Sequence, residues 1–427
     1  MKTVKKYRFY DFETSLEDYQ LHKLNQMLAF IVRQNEFYKE KLTNISIPIQ
    51  SKNDLASLPF TTKEELIKDQ QDYPPFGRNH SYPLQYYNRF HQTSGTSGCP
   101  LKILDTKTSW QWWENCWLEV LKSSKVQETD RVFLAFSFGP FVGFWGGFEA
   151  AKKLGALVIT SGSQTSKDRL QTIVELEATV LLCTPSYALH LVEIAKELNL
   201  DLKKTAIQKI ITAGEPGGSI PSIRKRIEEA WSAKVFDHVG MTEMGAYGYS
   251  CEMQNGLHIN ESEFIAEIIN PDTLEPVDPG DTGELVLTNL GRYGYPLIRY
   301  RTGDLVKFDP TPCPCGNTYT FLPGGLIGRK DDMVVIRGIN IFPSSIESII
   351  REFDEILEFR IVYYTIDNMD QIKVQIETRE PSLKETLATL LRQRIGLRIQ
   401  VEVVERLPRF ELKGRRVLDL RNHVRVV

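Results

Sequence analysis

The sequence shows no excess of charge of one sign. It has 52 lysines and arginines against 55 aspartates and glutamates, which gives a formal net charge of −3. This balance argues against a general nucleic-acid binder, since such proteins usually carry a basic surplus. No basic start is followed by an apolar run and a cleavage site, so no secretory signal is expected. We therefore expect a cytoplasmic protein without a nucleic-acid or membrane partner.

Long hydrophobic runs are also scarce. The most hydrophobic stretch, residues 132–148, is uncharged and near the low end of the ~17–25 residues that a membrane span requires. It contains four glycines and one proline, and it lies between Arg131 and Glu149. A buried strand, a loop and the start of a helix explain this stretch better than a membrane span.

Cysteine is infrequent, with six residues in a chain of 427. A disulfide framework is not expected in a cytosolic chain of this kind. Cys183, within the apolar run TVLLCTP, is predicted to be a core thiol.

Two short segments bring three of the other cysteines together with a histidine. CEMQNGLH holds Cys251 and His258, and CPCGN holds Cys313 and Cys315. Three cysteines and one histidine form a four-coordinate zinc set. The Cys-x-Cys spacing is tighter than the usual Cys-x₂-Cys, and free thiols are the alternative to a structural zinc ion.

The length of 427 residues predicts two or three domains. Residues 15–42 have the apolar spacing of an amphipathic helix, and Thr62 with Glu65 forms a capping box that predicts a helix start. From about residue 130 to 240, apolar strand-like runs alternate with helical patterns. This alternation predicts a parallel sheet covered by helices, in which ligands bind at the carboxyl ends of the strands.

The pattern changes to shorter strands with turn residues over about 255–310. We predict an α/β protein whose large N-terminal domain, residues 1–328, combines helix-covered β-sheets with a β-rich subdomain at about 255–328. A small mobile α+β lid domain is predicted for residues 329–427.

A glycine-rich segment, HQTSGTSGCPLKI at residues 91–103, precedes an apolar strand-like run. Glycines let backbone N–H groups approach phosphate oxygens closely, and threonine and serine hydroxyls add neutral donors. The segment is not a Walker-type loop, because no Gly-Lys-Ser/Thr follows. It indicates a phosphate-binding loop, with a flexible polar loop as the alternative.

Two carboxylates follow strand-like runs. Glu243, in FDHVGMTEMG, is a candidate Mg²⁺ ligand, since Mg²⁺ takes one or two carboxylates plus substrate phosphates. Asp304, in RYRTGDL, is predicted to lie after a β-strand, where a carboxylate can accept both hydroxyls of a ribose. An ordinary turn aspartate is the alternative for Asp304.

Two basic residues stand in later segments. Arg329 begins the segment RKDDMVVIRGINIFPSSIE, and its planar guanidinium suits ribose or phosphate acceptors. Lys413, in LPRFELKGRRVLDLR, opens a basic stretch near the end of the sequence. The alternative for this stretch is a solvated basic tail.

The joint order of these segments resembles the adenylate-forming superfamily over nearly the whole chain. TSGTSGCPL is similar to its phosphate-gripping loop, GMTE to its Mg²⁺ and adenine segment, and YRTGD to its ribose-binding strand. SLPFTTKEEL, RGINIFPSSIE and LPRFELKGRRV resemble the phenylacetate–CoA ligase branch in particular. The resemblance implies that ATP activates a carboxylic acid to acyl-AMP, followed by transfer to coenzyme A.

The resemblance also implies roles for individual residues. Glu243 would hold Mg²⁺, and Lys413 would be the catalytic lysine that bridges the carboxylate and the α-phosphate. The lid would turn about Asp331 and bring Arg337 and Gly338 to face coenzyme A. The residues implied to bind ATP or AMP are Thr93, Ser94, Gly95, Thr96, Ser97, Gly98, Gly214, Glu215, Pro216, Asp237, His238, Thr242, Asp304 and Arg329.

Three positions depart from the family pattern. Cys99 stands where a lysine usually precedes the proline of the phosphate loop, and Val239 stands where many relatives place an adenine-stacking tyrosine. Leu412 replaces a common glycine beside the catalytic lysine. None of the three removes a chemical group that the reaction requires.

The implied acyl pocket lies near Phe136, Phe141, Phe236 and Gly245. The segment FSFGPFVGFWGGF is dense in aromatic residues, and an aromatic-lined cleft suits a flat apolar acid. The resemblance implies an arylacetate- or benzoate-like acid. Aromatic residues after a buried strand are also typical of an ordinary core.

Two other functions fit the same segments. One is adenylation with a different acceptor, either a carrier-protein thiol or a second acid that receives AMP. The other is a nucleotide-binding relative without turnover. Cys99 and Val239 favour this alternative. The joint presence of the four predicted catalytic and ribose-binding residues argues against it; they are Glu243, Asp304, Arg329 and Lys413. Relatives in the superfamily are often dimers, so a homodimer is a candidate assembly.

Overall fold

The computed structural model describes residues 6–7, 10–11, 15–93, 99–136, 138–336, 339–366, 369–408 and 416–421. The helices of this part are α1 Leu16–Gln34, α2 Glu36–Lys41, α3 Lys63–Asp72, α4 Lys107–Ser123, α5 Trp145–Leu154, α6 Ser166–Glu175, α7 Pro185–Glu197, α8 Pro221–Trp231, α9 Pro343–Ile350 and α10 Leu383–Ile395.

The strands up to residue 259 are β1 Lys6–Tyr7, β2 Tyr10–Asp11, β3 Tyr87–Gln92, β4 Lys102–Thr106, β5 Arg131–Leu134, β6 Leu157–Thr160, β7 Val180–Cys183, β8 Lys209–Thr212, β9 Lys234–Met241, β10 Gly245–Tyr249 and β11 Gly256–Ile259. The later strands are β12 Phe264–Ile269, β13 Thr282–Asn289, β14 Tyr300–Lys307, β15 Phe321–Pro323, β16 Leu326–Arg329, β17 Val334–Ile336, β18 Ile339–Ile341, β19 Ile356–Ile366, β20 Met369–Thr378, β21 Gln400–Val403 and β22 Val417–Asp419.

The N-terminal helical region is two helices rather than the one predicted over 15–42. Asn35 ends α1 and caps α2, because its side chain accepts a hydrogen bond from the Tyr38 backbone N–H. Its amide nitrogen also donates to Asn79 and Ser81 in the interior. A buried asparagine with these partners stabilises the break, which apolar spacing alone does not reveal.

The capping box at the start of α3 is confirmed. The Thr62 side chain accepts from the Glu65 backbone N–H, and the Glu65 carboxylate accepts from the Thr62 backbone N–H. The helix therefore starts where the sequence predicts.

The central sheet has the order β15-β11-β10-β9-β8-β7-β5-β6. Strands β9, β8, β7, β5 and β6 run parallel, as the alternation of strand and helix patterns predicted. Strands β10, β11 and β15 extend the sheet beyond β9, and each pairs antiparallel with its neighbour. The residues of β7 are all buried, Cys183 among them, so the predicted core thiol is confirmed.

A second sheet, β12-β13-β14-β16, is antiparallel and corresponds to the predicted shorter strands. Asp304 lies within β14, so the prediction that it follows a strand is wrong. Gly303 has a φ of +73°, and the register with β13 shifts between Arg301 and Leu305, on either side of it. The local sequence therefore looks like a turn although the strand continues.

The uncharged stretch at 132–148 forms the end of β5, a loop and the start of α5, as predicted. Among the residues that the structure describes, no helix combines the length and the apolar character needed to cross a membrane.

The C-terminal residues form a separate α+β unit. A hairpin, β17-β18, precedes the sheet β21-β20-β19-β22, and α9 and α10 pack on it around their own buried apolar cluster. Ser222 on α8 donates to the Ser348 carbonyl at 3.1 Å, and Arg226 lies 3.2 Å from Asp354. The boundary at residue 328 stays a prediction.

The centre of the parallel sheet generates a prediction about stability. We expect Leu182→Ala, at a fully buried position in β7, to lower the free energy of unfolding by about 2–5 kcal/mol because it leaves a cavity. Leu176→Ala, at a position 47% exposed, is the matched control and should change it by about 0.5 kcal/mol or less. Urea denaturation followed by tryptophan fluorescence measures both, and equal effects would contradict the assignment of the core.

Candidate active site

Glu243 lies in the short turn between β9 and β10, at the carboxyl end of β9. Its side chain is buried and one carboxylate oxygen, Oε1, is 3.1 Å from the ammonium nitrogen of Lys63. The Arg292 guanidinium donates to the backbone carbonyls of Thr242 and Glu243, at 3.0 and 2.7 Å. Arg292 therefore fixes the backbone of the turn that contains Glu243, the predicted Mg²⁺ ligand.

Arg292 in turn forms a buried ion pair with Asp105 at the end of β4. Its Nε donates to one carboxylate oxygen at 2.8 Å and its Nη2 to the other at 2.5 Å. Both side chains are at most 1% exposed. The guanidinium also lies near the rings of Trp113 and Tyr295, at 5.4 and 5.5 Å from their centroids. A bidentate pair with this many partners offsets much of the cost of burying two charges.

Asp304 and Arg329 are directly opposite each other on β14 and β16. Arg329 Nη1 donates to Asp304 Oδ1 at 3.1 Å, and the Tyr247 hydroxyl on β10 donates to Asp304 Oδ2 at 2.8 Å. Burial raises the pKa of Tyr247 well above its ordinary value, so this hydroxyl stays a donor. The structure thus brings the two predicted ribose ligands together and adds a tyrosine from the central sheet.

Asp237 and His238 are neighbours on β9, so their side chains point to opposite faces of the sheet. Asp237 accepts hydrogen bonds from Ser219 at 2.6 Å and Thr212 at 3.1 Å. Burial raises its pKa to about 6, although these hydroxyls oppose the shift.

His238 lies on the other face of β9. Its Nδ1 is 2.8 Å from the Gly248 carbonyl, and its ring is 4.2 Å from that of Trp117 on α4. Burial lowers its pKa to about 4, so the ring is neutral at pH 7. The two residues cannot contact one face of a nucleotide together, and adenine binding by His238 stays a prediction.

The segment after β8 carries three further predicted nucleotide ligands, Gly214, Glu215 and Pro216. Gly214 has a φ of +92°, a backbone conformation that favours glycine. Glu215 accepts a hydrogen bond from the Ser186 backbone N–H at 2.9 Å, in the first turn of α7. This contact fixes the segment beside the carboxyl ends of β7 and β8.

Thr93 marks the start of the predicted phosphate loop. Its backbone N–H donates to the Leu101 carbonyl, and its hydroxyl oxygen accepts from the Leu101 N–H, both at 3.0 Å. Paired in this way, the two ends of the loop lie side by side.

Several predicted residues lie outside the described part of the chain. They are Ser94, Gly95, Thr96, Ser97 and Gly98 of the phosphate loop, Arg337 and Gly338, Leu412, and the catalytic candidate Lys413. Asp331, the predicted hinge, lies in the single 3₁₀ turn Lys330–Asp332 between β16 and β17. Their roles stay predictions.

The aromatic residues predicted for the acyl pocket fall into two places. Phe136 packs edge-on against Phe141, with ring centroids 5.3 Å apart, and against Phe138 and Phe144. Phe236 is in β9, and β8 and β7 lie between it and β5. With strands ~4.8 Å apart, this puts Phe236 roughly 14 Å from the line of β5.

Gly245, the fourth pocket candidate, has a φ of +130° at the start of β10. A Cβ added there would lie 2.9 Å from the Trp112 ring of α4. The glycine therefore allows α4 to pack closely on the turn that carries Glu243.

The four predicted zinc ligands are brought together. The ligand atoms of Cys251, His258, Cys313 and Cys315 all lie within 4.8 Å of one another. The sulfurs of Cys251 and Cys313 are 3.7 Å apart, and Cys315 Sγ is 3.4 Å from His258 Nε2. In a tetrahedral site with Zn–S bonds of about 2.3 Å, two sulfurs lie about 3.8 Å apart, so the geometry fits zinc.

Two further features of this cluster suit a metal. His258 Nδ1 faces the Tyr319 carbonyl at 3.5 Å, an arrangement that orients Nε2 toward the sulfurs. Burial raises the pKa of the Cys251 and Cys313 thiols. Metal binding to this set must therefore release protons.

Three residues at the site were not predicted for these roles: Lys63, Arg292 and, for the ribose pair, Tyr247. Lys63 lies in SLPFTTKEEL, a predicted helix start that also resembles the phenylacetate–CoA ligase branch, but no role is predicted for its side chain. NLGRYGYP around Arg292 has no catalytic pattern. Each contacts residues that are distant in sequence, so no local signal marks it.

The structure is an α/β protein in which the predicted ribose ligands Asp304 and Arg329 lie where two sheets meet. Residues 32–291 match the family model described as AMP-binding enzyme, and residues 338–421 match the model described as AMP-binding enzyme C-terminal domain. The chain belongs to the AMP-binding enzyme family, which confirms the predicted superfamily.

Curated relatives support the predicted branch. The chain is 28% identical over 434 residues to the phenylacetate-coenzyme A ligase of Thermus thermophilus, covering 94% of this chain and 96% of the relative. It is 30% identical over 431 residues to the phenylacetate-coenzyme A ligase of Escherichia coli, covering 96% of each. The resemblance to this branch is confirmed.

Solved structures support the fold and indicate its conformation. A 2-hydroxyisobutyryl-CoA ligase in the postadenylation state matches with a TM-score of 0.90 and 27% identity, covering 99% of this chain and 96% of that one. The same ligase in the thioesterification state, with the acyl-AMP and coenzyme A, matches with a TM-score of 0.72 at 28% identity, covering 99% and 96%. The whole chain therefore superposes better on the postadenylation state than on the thioesterification state of that ligase.

The buried ion pair beneath the Glu243 turn generates a prediction. We expect Arg292→Met to lower the free energy of unfolding by about 3–5 kcal/mol, because it leaves the Asp105 charge buried without a partner. Arg394→Met is the matched control, since Arg394 is 48% exposed and pairs with Glu352 at the surface. The control should cost about 1 kcal/mol or less in the same urea titration. Similar losses in both variants would mean that the buried pair does not hold this region.

Proposed function

We propose that this chain is an AMP-forming acyl-CoA ligase. A carboxylate oxygen of the acid attacks the α-phosphorus of ATP, the bond to the bridging oxygen breaks, and pyrophosphate leaves. The sulfur of coenzyme A then attacks the acyl carbon, AMP leaves, and the thiol proton is released. Likeness to relatives with this activity over nearly the full chain supports both half-reactions.

The observation that carries the proposal is the cradle of Asp304, Arg329 and Tyr247. A carboxylate held between two donors keeps a fixed orientation, in which it can accept both ribose hydroxyls. Arg329 supplies a planar cation beside the same position. Fixing the ribose determines where the α-phosphate lies relative to the bound acid.

Glu243 is the proposed ligand of the Mg²⁺ that accompanies ATP. Its carboxylate is held at the end of a strand by the backbone contacts from Arg292. A magnesium ion there would neutralise phosphate charge as pyrophosphate leaves.

The remaining roles rest on the family resemblance. Backbone and hydroxyl groups of residues 93–98 would hold the β- and γ-phosphates, and Lys413 would stabilise the charge that develops at the α-phosphate. Reorientation of the C-terminal unit about Asp331 would then bring Arg337 and Gly338 toward coenzyme A.

We propose an aromatic acid, arylacetate- or benzoate-like, as the substrate. The curated relatives are named for phenylacetate. The edge-on packing of Phe136, Phe138, Phe141 and Phe144 after β5 offers apolar ring surface for such an acid.

ATP–pyrophosphate exchange tests the function. We expect exchange with at least one acid of a panel that includes phenylacetate, benzoate and 2-hydroxyisobutyrate, and thioester formation when coenzyme A is added. Asp304→Asn should raise the KM for ATP roughly tenfold or more, because it weakens charged hydrogen bonds to ribose. Asp278→Asn, at an exposed turn position, is the control and should match the wild type.

The outcomes separate the alternatives. Exchange without a thioester would indicate a different acceptor, such as a carrier-protein thiol. Absence of exchange with every acid would contradict the proposed activity.

We also propose that the four-residue cluster holds a structural zinc ion. The four donors fit a tetrahedral site, and a reducing cytoplasm keeps such thiols available. The ion would join the end of β10, strand β11 and the turn before β15, and so tie the antiparallel edge of the central sheet together.

Metal analysis tests the zinc site. We expect about one zinc ion per chain in protein purified under reducing, chelator-free conditions, and a marked loss of zinc and of thermal stability in Cys251→Ser. Cys99→Ser, at an exposed cysteine outside the cluster, should retain zinc. A stoichiometry near zero in the wild type would end this proposal.

A further inference from the structure

Lys63 is the first residue of α3 and reaches the predicted Mg²⁺ ligand. Its ammonium nitrogen is 3.1 Å from Glu243 Oε1, and the two side chains are 27% and 7% exposed. The start of α3 is anchored next to β14, because Thr61 donates its backbone N–H to the Arg299 carbonyl and accepts from the Arg301 N–H. Lys63 is thus held at the site by the backbone around it.

The rest of α3 runs beside the far end of the predicted phosphate loop. Gln70 exchanges two hydrogen bonds with the backbone of Lys102, at 2.6 and 3.0 Å. Gln71 Nε2 is 3.7 Å from Cys99 Sγ. One short helix therefore contacts Cys99, just after the loop, through Gln71 and contacts Glu243 through Lys63.

The loop itself brings no positive charge. Residues 93–100 contain no lysine or arginine, and position 99 is cysteine. The next cation along the chain, Lys102, donates to the Pro75 carbonyl instead. Any lysine or arginine that contacts a triphosphate bound here must therefore come from another element.

We propose that Lys63 is the cation that binds the β- and γ-phosphates of MgATP, in place of a lysine in the phosphate loop. The inference rests on the proposed function for the location of the triphosphate. An ammonium group has three donors, so it can share Glu243 with the metal and still donate to a phosphate oxygen. In the absence of nucleotide, the same lysine neutralises the buried Glu243 carboxylate.

Isothermal titration calorimetry with MgATP alone, without an acid, tests this assignment. We expect Lys63→Ala to weaken MgATP binding roughly tenfold or more, from the loss of a charged hydrogen bond, and Lys63→Arg to retain most of it. Lys68→Ala, at an exposed position on the same helix paired with Asp72, is the control and should bind like the wild type. Thermal melting checks that all three variants are folded.

A second variant reports on the missing loop charge. Cys99→Lys in the Lys63→Ala background should recover a substantial part of MgATP affinity. Unchanged binding by Lys63→Ala, or an equal loss in Lys68→Ala, would overturn the assignment, as would a wild type that does not bind MgATP. Lysine-dependent binding without exchange for any acid would instead contradict only the proposed activity.

Discussion

The buried pair of Arg292 and Asp105 is the constraint on which the site depends. It joins the end of β4, the segment after β13 and the turn after β9, three parts of the chain that are far apart in sequence. Two buried charges are costly, but here the guanidinium satisfies both carboxylate oxygens and two backbone carbonyls. These hydrogen bonds form together only when the turn with Glu243 is in its observed position. The packing around Arg292 and the geometry of the site are therefore coupled.

The same coupling recurs where the two sheets meet. Tyr247 belongs to the central sheet, and Asp304 and Arg329 belong to the second sheet, so the proposed ribose cradle exists only when both sheets are assembled. Lys63 adds a third element, since α3 is anchored to β14 and contacts Glu243 after β9. Each charged group at the site therefore has a partner on a different element, which limits its movement before any ligand binds.

Sequence patterns predicted the features that depend on neighbouring residues. The parallel strands and the capping box at Thr62 follow from local periodicity and turn residues, whereas the predicted strand end before Asp304 was wrong. The four zinc candidates could be predicted because three cysteines and one histidine are a typical ligand set for zinc. Local patterns failed where a distant contact decides the structure. Asn35 breaks a helix through Asn79 and Ser81. Lys63 contacts Glu243 and Arg292 contacts Asp105, each more than a hundred positions away.

The contacts between α8 and the C-terminal unit are individually weak, so they can be broken at a small cost in free energy. Arg226 pairs with Asp354, whose side chain is 78% exposed, and such pairs contribute about 1 kcal/mol or less. Ser222 donates to a backbone carbonyl, a single neutral hydrogen bond. The C-terminal unit has its own apolar core, so the proposed reorientation about Asp331 would leave that core intact. Weak contacts of this kind suit the proposed movement of the C-terminal unit between the two half-reactions, because bound reactants need supply only a small difference in free energy to favour one arrangement.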